Sequence, residues 1–320
     1  MLTKTQLHEL YYWLLLNRTL EDRVVSLHRA GKIFGTVYTS RGQEAVSVGT
    51  AYALEKEDVL APMLRNSGAL LVRGFKPGEI LSQYMGKSTS PTGGRACHLE
   101  MGDLQRGVVA PIAVLGTLVP VVAGMALAAR MRKLGSVALS YIGDGGASTT
   151  DFHEGLNLAA VQKAPMILVI ENNGWALSTP TRLQTSGTNF MTRARAYGVT
   201  GFEVDGNDVV QVYETTRKAL ECARNGQGPA LIVANTRRTG GDPGQEDVLS
   251  APKAEVEEWK ARDPIRLFEK YLTEGGFMTA EERNSISNRA RSEVDSATEF
   301  ADRSAFPDGR QALGGVYHEA

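Results

Sequence analysis

The stretch VALSYIGDGGASTTDFHEGLNLAAVQKAPMILVIENNGW, residues 137–175, constrains the fold more than any other part of the chain. It opens on an apolar run, Val137 to Ile142, that is rich in β-formers and ends at glycines, the pattern of a buried strand. Gly143-Asp144-Gly145-Gly146 follows at once. A helical segment comes next, with Phe152, Leu156, Ala159 and Ala160 on one face. Pro165 stops it, and Met166 to Ile170 reads as a second buried strand that leads into Glu171-Asn172-Asn173. Two strands joined through a helix form a β–α–β unit, so they are expected to lie parallel in one sheet.

That geometry predicts chemistry. Asp144 and Asn173 both leave the carboxyl ends of neighbouring parallel strands, where α/β sheets place their ligands. One carboxylate and one amide oxygen are hard ligands suited to Mg²⁺ or Ca²⁺, with a diphosphate completing the shell. The flanking glycines allow backbone to approach such a diphosphate closely. Each half alone is also a plain strand–turn–helix with a turn Asp, or a strand ended by a capping Asn. Together they are more specific. GDG, then 26 residues, then NN resembles the thiamine diphosphate signature. That resemblance implies Mg²⁺ held by Asp144, Asn173 and the backbone carbonyl of Trp175. A Rossmann dinucleotide site competes, but GDGGAS lacks the third spaced glycine of that fingerprint.

The rest of the chain supplies elements around this unit. Residues 3–30 keep Leu7, Leu10, Leu14, Leu20, Val24 and Leu27 at helical spacing, with a Thr at the start and Gly31 as the stop. A loop through Ser40 enters a second helix at Gln43-Glu44, two residues that serve either as caps or in a site. An apolar strand near Val59 leads to Arg65, a cation suited to a phosphate oxygen, although such an Arg taken alone is more often a solvated surface charge. Residues 86–107 form a long Gly-rich loop that contains His98, a weak catalytic candidate. Val121 to Leu134 reads as an Ala- and Gly-rich helix. Beyond the central unit, residues 176–196 show no periodicity. Phe202 to Gly206 reads as a strand, Asp208 as the cap of a helix to about Arg224, and Ala230 to Ala234 as a third apolar strand. A polar loop follows to residue 251. Asp263-Pro264 and the capping box Thr279 to Glu282 start two final helices.

Composition excludes several classes. The net charge of −1 points to neither nucleic acid nor a membrane surface. Cys97 and Cys222 are the only cysteines, so no disulfide framework is implied and a reducing compartment is expected. The apolar run Tyr11 to Leu16 meets charge too soon for a membrane span or signal peptide. A cytoplasmic location follows as the expectation.

Over nearly its whole length the sequence resembles the E1 α subunit of the 2-oxo acid dehydrogenase complexes, including the pyruvate, branched-chain and acetoin branches. The matching pieces include RTLEDRVVSLHRAGKI, RGQEAVSVG, GGRACH, GTLVPVVAGMALAARM, GDGGASTTDFHEGLNLAAV, ENNGWALST, GQGPALIVANTRR and DPIRLFEKYL. The resemblance implies one α/β thiamine diphosphate-binding domain over residues 1–320, its mostly parallel sheet flanked by helices. Gly143, Asp144, Gly145 and Gly146 would cradle the diphosphate and Mg²⁺, Arg65 would contact the diphosphate, and Gly116 and Leu118 would line the cofactor. It further implies decarboxylation of a 2-oxo acid and transfer of the acyl group to a lipoyl E2 core. A separate β subunit would close the site in an α2β2 heterotetramer, because no pyrimidine-binding domain is visible in the chain. The alternatives are a split transketolase-like subunit and a cofactor-binding scaffold with weak catalysis.

Two departures stand out. Ser67 occupies a position where the family usually offers a His. The loop after the third apolar strand reads Arg238-Thr239-Gly240-Gly241-Asp242 in place of the usual Gly-His pair, and no His follows until His318. Both absent histidines are potential donors or acids, so their loss bears on turnover and on substrate.

Overall fold

In a computed structural model, residues 2–96, 98–187, 189–240 and 252–314 are described. Cys97, Gly241, Asp242, His318 and the remainder of the loop to residue 251 lie outside the described residues.

The chain opens with α1 (Lys4–Arg29), started by a capping box between Thr3 and Gln6, as its sequence predicts. Helix α2 (Glu44–Ala53), strand β1 (Val59–Ala61), and helices α3 (Ser67–Val72) and α4 (Pro77–Tyr84) follow. Helix α5 spans Leu118–Met131, about a turn earlier than the sequence suggests. Pro120 lies within its first turn, where a residue without an N–H costs no intrahelical bond, so the proline does not delay the helix. Strand β2 (Ala138–Gly143), helix α6 (Thr150–Val161) and strand β3 (Met166–Asn172) form the central β–α–β unit. The aperiodic segment after it contains a small hairpin, β4 (Trp175–Ala176) with β5 (Thr179–Pro180), and helices α7 (Thr181–Gln184) and α8 (Met191–Ala196). Strand β6 (Thr200–Asp205), helix α9 (Val209–Arg224), strand β7 (Ala230–Asn235) and helices α10 (Lys253–Ala261), α11 (Pro264–Glu274) and α12 (Ala280–Arg303) complete the chain. Asp208, Asp263 and Thr279 cap α9, α11 and α12 through their side chains.

The main sheet has the order β1-β2-β3-β7-β6, and every pairing is parallel. Both faces are covered, which is why its strands read as continuous apolar runs. Alternate side chains go to opposite faces. Leu139, Tyr141, Ile167, Val169 and Ile232 join the core beneath α1, α2, α9 and α12. Ala138, Ile142, Met166, Leu168 and Val233 join the core beneath α5, α6 and α8. The α/β class and the parallel central unit are therefore as expected. Among the described residues, no helix is long and apolar enough to cross a membrane.

Candidate functional site

The carboxyl ends of four adjacent strands converge on one cleft of about 320 Å³. The chain leaving β1 supplies Met63, Leu64 and Arg65. The turn after β2 supplies Gly143 to Gly146, the hairpin after β3 supplies Trp175, Ala176 and Leu177, and the segment after β7 supplies Arg238. Tyr38 and the apolar residues Ile112, Ala113 and Leu115 complete the walls. The register of β2 on β3 pairs Gly143 with Glu171, so the two turns that bear the expected ligands emerge side by side.

Asp144 is buried, and its Oδ2 accepts a hydrogen bond from the Thr181 hydroxyl. A carboxylate has further lone pairs to offer. Asn173 is also buried; its Oδ1 accepts from the Trp175 N–H at 3.1 Å and its Nδ2 donates to Gln43 Oε1 at 3.0 Å. Gln43, expected as a cap or a site residue, makes no side-chain cap bond and contacts Asn173 instead. Glu44 turns the other way, to Arg18 and to the Gly42 N–H.

Arg65 is not a solvated charge. Its Nε donates to the buried carboxylate of Glu171 at 2.6 Å, and Asn66 Nδ2 donates to the other oxygen of the same group. Among the described residues Arg65 Nη2 is buried without a partner, and it stands 3.3 Å from where a Cβ on Gly143 would lie. A buried guanidinium N–H without an acceptor is costly unless something supplies one, and this one is beside the glycine turn. Gly145 has ordinary helical dihedrals, so its conformation does not require glycine. Space does: a Cβ there would lie 2.3 Å from Ala176 Cβ. The cleft thus brings together two cations, Arg65 and Arg238, one carboxylate, Asp144, and glycine backbone, a set matched to a diphosphate with a hard cation. Among the described residues, no group of three or more His, Cys, Asp or Glu side chains could hold a metal. A carboxylate, an amide and a main-chain carbonyl make a ligand set of another kind.

Other expected site residues lie outside the cleft lining. Gly116 is next to the lining residue Leu115, with φ at +91° and Thr149 Oγ1 only 2.3 Å from a hypothetical Cβ. Leu118 begins α5 and packs on the core beneath it. His98 has φ at +51° and is absent from the cleft lining; its ring stands edge-on to that of the lining residue Tyr38 at 6.1 Å. Ser67 is turned inward, 2.7 Å from Asn17 Oδ1 and 2.6 Å from Glu21 Oε1. Glu21 also receives the Ser40 N–H and hydroxyl. Burial, with the nearby Glu44 carboxylate, pushes the Glu21 carboxyl up to about 8 against these hydrogen bonds. This buried knot ties the strip before Gln43 to the strip after Arg65. Sequence reasoning missed Tyr38, Thr181 and Ala176; the last two belong to short elements without periodicity, and none of the three has a distinctive motif.

An all-parallel sheet covered on both faces, with a phosphate-suited cleft at a cluster of strand ends, defines a nucleotide- or cofactor-binding α/β protein. A family model described as "Dehydrogenase E1 component" matches residues 12–309. The sequence is 35% identical to the 2-oxoisovalerate dehydrogenase subunit alpha of Bacillus subtilis over 99% of this chain and 96% of that protein. It is 35% identical to the pyruvate dehydrogenase E1 component subunit alpha of Staphylococcus aureus over 94% of this chain and 79% of that one. The chloroplastic pyruvate dehydrogenase E1 component subunit alpha-3 of Arabidopsis thaliana is 33% identical over 99% of this chain and 76% of its own length. The chain belongs to the dehydrogenase E1 component family, as an α-type subunit of the 2-oxo acid dehydrogenases. The split-transketolase and scaffold alternatives are not favoured.

Proposed function

We propose that the cleft binds thiamine diphosphate with Mg²⁺, and that the chain forms one functional domain that decarboxylates a 2-oxo acid only when a β subunit closes the site. The observation that carries this reading is the unpartnered, buried Arg65 Nη2 beside the Gly143–Gly146 turn, with Asp144 and Asn173 at the ends of adjacent strands. Asp144, Asn173 and the carbonyl of Trp175 would hold the cation. Arg65 would donate to the diphosphate, and the glycine turn would admit it at close range. Bound there, the cofactor supplies the electron sink that decarboxylation of a 2-oxo acid requires.

This chain's residues bind and orient rather than shuttle protons. Arg238 sits where a loop His is usual; a guanidinium neutralises anionic oxygen but stays protonated near neutral pH. Ser67 is committed to the Glu21 knot, and His98 stands behind Tyr38 rather than in the cleft lining. Proton transfer therefore falls to groups outside these three, with the partner subunit as the expected source. Exposed apolar side chains include Val121 and Met131 on α5, Leu158 and Val161 on α6, and the cleft-lining Leu115 and Leu177. An apolar surface of this kind supports docking of a β subunit in an α2β2 assembly. The acyl product would pass to a lipoyl E2 core, in a cytoplasmic enzyme.

Calorimetry of the α/β complex tests the assignment. Thiamine diphosphate should bind in the presence of Mg²⁺, and Asp144→Ala should cost roughly 2–5 kcal/mol of that affinity, the scale for truncating one partner of a buried charge contact. An unchanged affinity in the variant would discard the metal site.

A further inference from the structure

A carboxamide can present either of two heavy atoms in one direction, and only its oxygen ligates a cation. We propose that Gln43 is the positioning residue that, together with the Trp175 N–H, holds this choice for Asn173 and thereby tunes the Mg²⁺ affinity of the cleft. The inference rests on the reading of Asp144 and Asn173 as cation ligands.

The geometry carries it. Gln43 Oε1 accepts from Asn173 Nδ2 at 3.0 Å, with both residues almost fully buried. With the Trp175 N–H on Oδ1, Asn173 turns its NH2 group to Gln43, and only the oxygen of the Gln43 carboxamide can accept from it. Asn173 Oδ1 is then committed only to the Trp175 N–H, which leaves an oxygen lone pair for a metal.

Gln43 is itself held in place. Its N–H donates to Ser40 O at 2.7 Å. The preceding Gly42 carbonyl takes bonds from Asn207 Nδ2 and Thr236 Oγ1, and a Cβ on Gly42 would strike Arg237 O at 2.5 Å. Gly42 has φ at +93°, so the backbone here is one that only glycine adopts without strain. The side chain therefore reaches Asn173 from a clamped base.

Stability does not account for this arrangement. Gln43 stands at the N-cap of α2 yet its side chain caps nothing, and among the described residues its buried Nε2 has no acceptor. An unpaired buried donor opposes folding. A side chain kept at such a position serves its one bond, that to Asn173. Partners that orient a metal ligand typically change metal affinity by about 10–100-fold when removed.

The test is a Mg²⁺ titration of the full chain with its β subunit at saturating thiamine diphosphate, followed through fluorescence of Trp175 and, with Mn²⁺ in place of Mg²⁺, by electron paramagnetic resonance. Gln43→Leu and Gln43→Met should each weaken cation affinity by about 10–100-fold. Gln43→Glu, which keeps an acceptor oxygen, should stay near wild type. Thermal melts of the three variants without ligand show that each is folded. Asn173→Ala separates the two ideas. If that variant binds the cation like wild type, the metal-site reading itself fails. If Asn173→Ala weakens binding while Gln43→Leu and Gln43→Met do not, or if Gln43→Glu loses as much as they do, the positioning role is overturned.

Discussion

Glu21→Gln offers the most quantitative perturbation, because the carboxyl is fully enclosed and its surroundings determine its charge. The Ser67 hydroxyl lies between Asn17 Oδ1 and Glu21 Oε1 and has a single proton to give. If it serves Asn17, the contact with Glu21 needs a proton on the carboxyl, which agrees with a value pushed up from 4.5 to about 8 by burial and by Glu44. Linkage then fixes the sign. Between those two values the folded protein keeps a proton that the unfolded chain has released. Stability from this group is therefore complete below about 4.5 and is lost as pH rises through about 8. One proton corresponds to roughly 1.4 kcal/mol per pH unit, so the window from 4.5 to about 8 is worth on the order of 5 kcal/mol. An amide cannot ionise, yet it keeps an acceptor oxygen for the Ser40 N–H and a donor for the serine oxygens. Glu21→Gln should lie within about 1 kcal/mol of wild type near pH 5, the scale of one altered hydrogen bond. It should gain on wild type by a few kcal/mol toward pH 9. Urea unfolding of both proteins across that range measures the difference directly. Parallel pH profiles would show that Glu21 is ionised in the folded protein and would refute the reasoning.

Two further outcomes follow from the cleft. Arg65→Ala removes the ionic partner of the buried Glu171 and should cost roughly 3–5 kcal/mol of stability, the range for breaking a buried ion pair, together with most of the diphosphate affinity; melting and calorimetry on the same sample check both. Gly145→Ala places a Cβ against Ala176 and should destabilise by about 1–3 kcal/mol through overpacking while weakening thiamine diphosphate, and an unaltered melting curve would contradict the steric argument.

The parts of the fold that were legible in the sequence have strong local signals. Strands β2, β3 and β7 are apolar runs because both of their faces are buried, and α1, α9, α11 and α12 announce themselves through Thr3, Asp208, Asp263 and Thr279. The short pieces were not legible. Helices α3 and α4, of six and eight residues, together with the hairpin and the four-residue α7 are too short for a sustained apolar period, and tertiary contacts fix them. Arg73, for example, donates to the carbonyls of Glu55, Lys56, Asp58 and Arg106, which pins the end of α3 to the β1 approach.

In the candidate site, the motif residues were legible and their supports were not. Asp144 and Asn173 are visible because a hard cation of the kind proposed takes oxygen ligands, and few residue types offer one at a strand end. Their partners need only offer one hydrogen bond from the right direction, which many residues at many positions could do. Thr181 reaches Asp144 across a hairpin, Glu171 fixes Arg65 across two strands, and Gln43 reaches Asn173 from a distant helix start. Sequence separation hides all three. The same reasoning explains Ser67. A His in its place would have to displace the Asn17–Ser40–Glu21 knot or turn away from it toward the cleft. With a small hydroxyl there instead, the knot closes, and under the proposed function the groups that move protons come from elsewhere.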